Sequence, residues 1–494
     1  METRSIGHAL GLNPDPKNYC IFREQRSGLW FIRSAADICN NGLFLQLNGF
    51  ETQVMMDISQ VTDDETGKYR ILCETLAGSG VSDIEIALRE IFLKDLYKAF
   101  TAVVSPDFLN QLGIFGMTPV QLKNATAQAL AKGQAQAQAE EQALAQTLSK
   151  EKVKVPTVAA IIEAMEEPMK NWFTVADAFI EGNYGAAQVV DRSTCGKMDS
   201  VEKLWTGFKK DFTRLLKNFA AIQKLVATSS KSKGCKKSAK ETVDSVKAAA
   251  EAASFEARLA EGVLSRPAVT QMLAGMAVAA SLKSVLGKKA TAKDAAALIS
   301  LWGLERKLQD LLLNRGVPVA ATSLPLKTMV VTLPLVDLVA QLKKADATAK
   351  VDDKAVKKVA GIMVDTIVHS KAAGAVAGIN LFDNVLWFNQ ELMTEALWYA
   401  VAVPAYLGDG LAESTKEGLE AVEKMLATAQ KKAEYRADQL CVLLPPPEVK
   451  KPATKAGAKS AKASKSAAKA GAKATKTKKT TAEKKADSKA EKKD

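Results

Sequence analysis

Few side chains in this sequence stand in arrangements that do chemistry. The histidines are His8 and His369, two in 494 residues, one near the N-terminus and the other in the helix-spaced stretch GIMVDTIVHS. A zinc site needs three or four N/S ligands at short, recurring spacings, and two isolated His cannot build that set with Cys spaced as here. Both read as structural or incidental. Asp63-Asp64-Glu65 is a small acidic cluster that acid/base work or a calcium ion could use, but the Thr66-Gly67 that follows makes it an ordinary solvated turn. Trp387, Phe388, Trp398 and Tyr399 are the densest aromatic group, and such rings stack on sugar faces. With Leu386, Leu392 and Leu397, however, they fall where a buried helix places core side chains. Asn389, polar among them, reads as a helix cap. No nucleophile–base pair, glycine-rich phosphate loop or metal motif appears. The expectation is therefore a chain with no catalytic, cofactor-binding or metal-binding residues.

Charge is distributed unevenly. Of the net +13, residues 449–494 supply +12, with sixteen Lys against four acidic residues. The preceding body is close to neutral, so any partner implied by the basic balance is a partner of the tail. Lys455, Lys459, Lys462, Lys465, Lys469, Lys473, Lys476, Lys478 and Lys479 alternate with small residues. Such a polycation binds nucleic acid or another polyanion weakly and without sequence preference, by counterion release. No aromatic residue interleaves the Lys, so base stacking is not on offer. Ala, Lys, Ser and Thr leave nothing to bury against an ordering cost of about 1–2 kcal/mol per residue, and the tail is expected to be disordered.

The elements that would position any site are mostly helical. Tyr19–Phe22 and Leu29–Arg33 flank the turn Arg26-Ser27-Gly28 as one hairpin. GLFLQL and ETQVMMDI flank Asn48-Gly49 as a second, with Leu43, Leu45 and Leu47 on one face. After Gly78-Ser79-Gly80 the period changes. Ser82 and Glu85 form a capping box, and Ile84, Leu88 and Ile91 follow at helical spacing. Residues 125–149, rich in Ala and Gln, read as an exposed helix or linker. Almost everything from 157 to 440 reads as helix, most clearly 199–228, where Leu204, Phe208, Phe212, Leu215 and Phe219 recur every three or four residues. SSKSKGCKKS, Arg266-Pro267, Asn314-Arg315-Gly316 and Pro445-Pro446-Pro447 mark stops.

Six Cys scattered without CxxC spacing point to free thiols in a reducing compartment. The start, METRSIGHAL, lacks a basic segment followed by an apolar core, and no uninterrupted run reaches the ~18 apolar residues of a membrane span. A cytoplasmic protein with no membrane partner is expected.

Two stretches carry a family resemblance. YCIFREQRSGLWFIRSAADICNNGLFLQLNGFETQVMMDISQV, running on into LCETLAGSGVSDIEIALREIFL, resembles a segment of the large α-amylase-family glycoside hydrolases that have a long C-terminal extension. Arg23, Gly28, Arg33, Gly42, Asp57, Gly78, Gly80 and Arg89 are among the matching positions. AGINLFDNVLWFNQELMTEALWYAVAV is similar to a second segment of that family, nearer its C-terminus, through Gly378, Asn380, Trp387, Phe388, Asn389 and Trp398. Ser79 stands where the family has Arg, Ser59-Gln60 where it has Arg-Glu, and Met55-Met56 where it has Phe-Leu. Nothing resembles the family's catalytic segments, and the ~250 residues of alternating strand and helix that a (β/α)8 barrel requires are missing.

The resemblance implies the non-catalytic C-terminal part of an α-glucan-processing protein, without hydrolytic activity of its own. Gly28, Gly42, Asp57, Gly78, Gly80, Trp387, Phe388, Asn389 and Trp398 would be structural motif residues. An amylase-family catalytic polypeptide and an α-glucan are the implied partners. The alternative is a helical interaction protein anchored to nucleic acid or another polyanion by its tail. The expected fold is α+β and predominantly α: an antiparallel β-meander over 1–62, capped helices and the Ala/Gln-rich linker over 63–150, a helical domain over 151–444 and the tail over 445–494.

Overall fold

The computed structural model describes residues 5–45, 47, 52–116, 157–182, 184–231, 254–344 and 349–447. The Asn48-Gly49 turn, the Ala/Gln run at 125–149, Cys235 and the Lys-rich tail lie outside the described residues. Met1–Pro446 forms one compact unit and Pro447–Asp494 a second. The fold is α+β and mostly α, with a small antiparallel sheet near the N-terminus.

In β1 (Asn18–Glu24), Tyr19 and Ile21 alternate with Cys20 and Phe22, so the strand offers apolar side chains to both faces and needs cover on each. It is the central strand of an antiparallel sheet ordered β2 (Trp30–Ser34), β1, β3 (Met55–Thr62). On one face Tyr19, Ile21 and Ile32 pack against Leu72 and Leu88, from helices α2 (Lys68–Leu76) and α3 (Ile84–Phe92). On the other, Cys20 and Phe22 pack against Ile38 of α1 (Ala35–Asn41).

The first hairpin forms as expected, with Gly28 at φ 70° in its turn. The second does not. Gly42–Leu45 and Leu47 are not strand, and β3 pairs with β1 instead. β1 thereby has a hydrogen-bonded neighbour on each edge, β2 on one and β3 on the other. The Ser82–Glu85 capping box does not form: Asp83 is the N-cap, its side chain accepting from the Ile86 amide at 3.1 Å.

The helical body continues through α4 (Lys94–Val103), α5 (Pro106–Gly113), α6 (Val158–Glu181), α7 (Val201–Lys231), α8 (Phe255–Ser265), α9 (Val269–Ala280) and α10 (Leu282–Leu286). It goes on through α11 (Ala292–Trp302), α12 (Leu304–Leu313), α13 (Ser323–Thr332), a 3-10 segment (Leu333–Leu342), α14 (Asp353–Val368), α15 (Gln390–Leu407), α16 (Lys416–Lys432) and α17 (Ala437–Leu443). Trp172, Phe173, Phe212 and Phe219 are fully buried where α6 and α7 pack. Buried polar groups find partners across the core. Trp172 Nε1 donates to Ser281 Oγ at 3.0 Å, and the Tyr97 hydroxyl donates to the Trp302 carbonyl at 2.7 Å.

One expectation changes here. NLFDNVLW is not helical but a hairpin of β4 (Asn380–Phe382) and β5 (Val385–Trp387). Asp383 and Asn384 both take positive φ, 51° and 57°, as a two-residue turn of this kind demands. By length and composition alone, Val269–Leu286 and Val319–Leu342 are long and apolar enough to cross a membrane. Polar and charged residues, among them Gln271, Lys283, Lys327 and Asp337, interrupt both, so neither is an unbroken apolar run. The first has 72% of its length buried within the body, as a core helix does.

Candidate functional site

A groove of about 770 Å³ in the body is built from separated parts of the chain, chiefly residues 204–215, 277–292, 333–343 and 406–415. The helical period of α7 turns Leu204, Phe212 and Leu215 into the core and leaves Asp211 and Arg214 on the flank facing the groove. Arg214 Nη1 lies 3.4 Å from Asp211 Oδ1 and makes a second, closer ion pair with Asp409, from the loop after α15. A guanidinium is thus held between two carboxylates. Both remain open to solvent, the Asp211 side chain 61% and the Asp409 side chain 65% exposed.

The opposite wall is pinned by Asp337 of the 3-10 segment. Its carboxylate takes the Lys283 ammonium at 2.6 Å and the Ala292 amide, at the start of α11, also at 2.6 Å. The Lys344 amide donates to the Ser414 carbonyl at 2.9 Å, tying that wall to the loop carrying Asp409. Between the walls, half-buried Phe208 stacks on Phe212, ring centres 5.1 Å apart and planes 18° apart. Partial desolvation raises the Asp211 carboxyl above its ordinary value, an effect that Arg214 opposes and Asp409 reinforces.

None of the charged groove residues was singled out from the sequence, and Leu204, Phe208, Phe212 and Leu215 were read only as a helix's core-facing stripe. The residues that were singled out take turn, cap and packing positions. Asp63 caps α2, its carboxylate accepting from the Tyr69 and Arg70 amides at 3.0 Å each. Asp64 accepts from the Thr66 amide at 3.0 Å, so the acidic cluster is a turn closing on a helix. His369 Nδ1 lies 2.9 Å from Asp365 Oδ1, one helical turn back, at the surface. The five described cysteines are free, and burial pushes the Cys20 thiol up to about 11. No group of three or more metal-ligating side chains lies together among the described residues.

Asp57 sits at φ 54° where the β1–β3 register shifts, paired with Arg23 at 3.0 Å. Gly42 ends α1, and Gly78 offers its carbonyl to Arg33 Nη2 at 2.9 Å. A side chain at Gly80 would begin 2.7 Å from the Phe31 ring, so only glycine lets that loop lie on the sheet. Trp387 Nε1 donates to the Phe382 carbonyl at 3.3 Å, bracing the β4–β5 turn. Phe388 is buried beside Tyr435. Asn389 caps α15, its side chain accepting from the Glu391 and Leu392 amides at 3.0 Å each. Trp398 packs on Arg266 from α15.

One surface stands apart from this closed packing. Leu43 and Met55 meet at the rim of the Phe22–Ile38 cluster, and around them Phe44, Leu45, Leu47, Val54, Met56 and Ile58 are exposed, Phe44 by 84%. Met56 and Ile58 lie on β3 itself and the other four precede it in the chain, and β3 has no strand beyond it among the described residues. Comparison with family models, with curated proteins and with solved structures finds no match to this chain.

Proposed function

We propose that the chain is a non-catalytic accessory to an α-glucan-processing polypeptide of the α-amylase type, which it joins through the apolar surface beside β3. The observation that carries this reading is the contrast within one small sheet. Helices of this chain cover both faces, yet six large apolar side chains on β3 and in the chain before it stay in water. A cluster of that kind is a recognised mark of an interaction site, and an open sheet edge offers a partner backbone hydrogen bonds as well. The sequence stretch that resembles the amylase family is the one that builds this sheet and its rim.

The test is co-expression with an amylase-type catalytic polypeptide from the same genome, followed by affinity capture. Capture should persist in high salt, survive deletion of the Lys-rich tail, and fail in Phe44→Asp/Ile58→Asp. Capture indifferent to those two substitutions would overturn the reading.

A second reading, anchoring to nucleic acid or another polyanion, rests on the +12 carried by residues 449–494. Binding that vanishes with the tail and with salt would favour it.

A further inference from the structure

We propose that the groove between α7, the 3-10 segment and the Asp409 loop binds an uncharged, polyhydroxylated ligand, a short saccharide chain. This rests on the α-glucan reading for the choice of sugar, while the ligand class follows from the groove itself.

The lining is electrically balanced. Asp211, Asp337 and Asp409 face Arg214, Lys283 and Lys343, so neither a phosphate nor a cation meets a field of the opposite sign. Arg214 is committed to two carboxylates, and Lys283 to Asp337. An anionic ligand would have to break these pairs, and each broken pair leaves a carboxylate against the incoming charge.

What remains available is hydrogen-bonding capacity held in fixed positions. A carboxylate offers about four acceptor sites. The guanidinium between Asp211 and Asp409 occupies some of them and locks the orientation of the others. Those two side chains are more than half exposed, so they keep acceptor capacity for a ligand rich in O–H donors. Arg214 Nε is a buried donor without a partner in the same wall.

In the same lining half-buried Phe208, backed by the buried Phe212 ring, gives an apolar surface suited to the C–H face of a sugar ring. The volume, about 770 Å³, falls within the roughly 300–1,000 Å³ of ordinary small-molecule sites. Charge-fixed acceptors and an aromatic surface in one lining match a ring that is hydroxylated at its rim and apolar on its face. They match a nucleotide or a metal ion poorly.

The experiment is calorimetric titration of the full chain with maltoheptaose, with cellohexaose and inorganic phosphate as the other arms. Maltoheptaose should bind, phosphate should neither bind nor compete, and Asp409→Asn should weaken binding at least tenfold. Phe208→Leu, which keeps the surface apolar but removes the ring, should weaken it as well. Tight binding of cellohexaose alone would keep the groove and overturn the α-glucan choice. Absence of binding by either sugar up to millimolar concentration, or affinity unchanged in both variants, would overturn the groove proposal. Phe44→Asp/Ile58→Asp should bind sugar normally, so failure of the docking reading and failure of this one are separable.

Discussion

The guanidinium carbon of Arg266 lies 4.0 Å from the centre of the Trp398 ring, with Glu395 3.8 Å away on the same helix as the tryptophan. Arg266 joins α8 to α9, and Trp398 belongs to α15, so this contact ties the α8–α9 corner to a helix more than a hundred residues later. Burial lowers the Arg266 pKa, opposed by Tyr399 and Glu395, and the residue stays charged because arginine's ordinary value is so high. The ring approaches closely because position 262 is glycine, where a Cβ would fall 2.1 Å from Trp398 Nε1.

Arg266→Ala is therefore expected to cost about 1–2 kcal/mol, the range of a partly desolvated cation–π pair. Gly262→Ala should cost about 1–3 kcal/mol by overpacking. Both act on the position of one ring, so the double variant should lose less than the sum. Urea unfolding of the four proteins measures this, and strict additivity would show that the two changes do not act through Trp398.

Asn389 ends a hairpin and starts a helix in one residue. Asn389→Ala should lower stability by about 1 kcal/mol, whereas Asn389→Asp should retain most of it at neutral pH, since a carboxylate caps equally well and suits the positive end of a helix. Thermal unfolding of both variants distinguishes loss of a cap from loss of packing, which would make the two equally unstable.

Glu305, at the start of α12, has its carboxyl raised above the ordinary range by burial, only partly countered by a backbone hydrogen bond, Arg89, Arg306 and Lys327. Its Oε2 is buried without a partner. A carboxyl whose native pKa is raised binds its proton more tightly folded than unfolded. It therefore costs nothing below the unfolded value and lowers stability as pH rises through the native one. Glu305→Gln should match the parent in acid and exceed it at neutral pH. A difference in unfolding free energy that stays constant between the two conditions would remove this residue as the source.

These predictions rest on features that the sequence showed unequally. The first hairpin was legible because alternation and a glycine turn act within fifteen residues. The place of β3 was not, because β1 takes the partner on its second edge from far along the chain. Leu386, Trp387 and Phe388 suggested a helix through their apolar density, while Asp383-Asn384, whose type tolerates positive φ, was the overlooked sign of a hairpin. The groove was hidden for a different reason. Asp211, Lys283, Asp337 and Asp409 come from parts of the chain far apart in sequence and meet only when the helical body packs.

The tail supplies the last test, which separates charge from fold. Residues 449–494 hold sixteen Lys and no aromatic side chain, so their binding to a polyanion should run on counterion release alone. A chain ending at Pro447 should lose its affinity for duplex DNA or heparin. For the full chain, the logarithm of the DNA affinity should fall linearly with the logarithm of salt, with a slope of about −0.9 per phosphate neutralised. Sequence-scrambled DNA should bind as well as any other. The shortened protein should keep its unfolding midpoint, because the body's core closes at Leu440 and Leu444, before the deletion begins. Retained DNA affinity would move the polyanion site onto the near-neutral body. A lowered midpoint would mean that the Lys-rich residues also stabilise the helices, and the single role assigned to them here would fall.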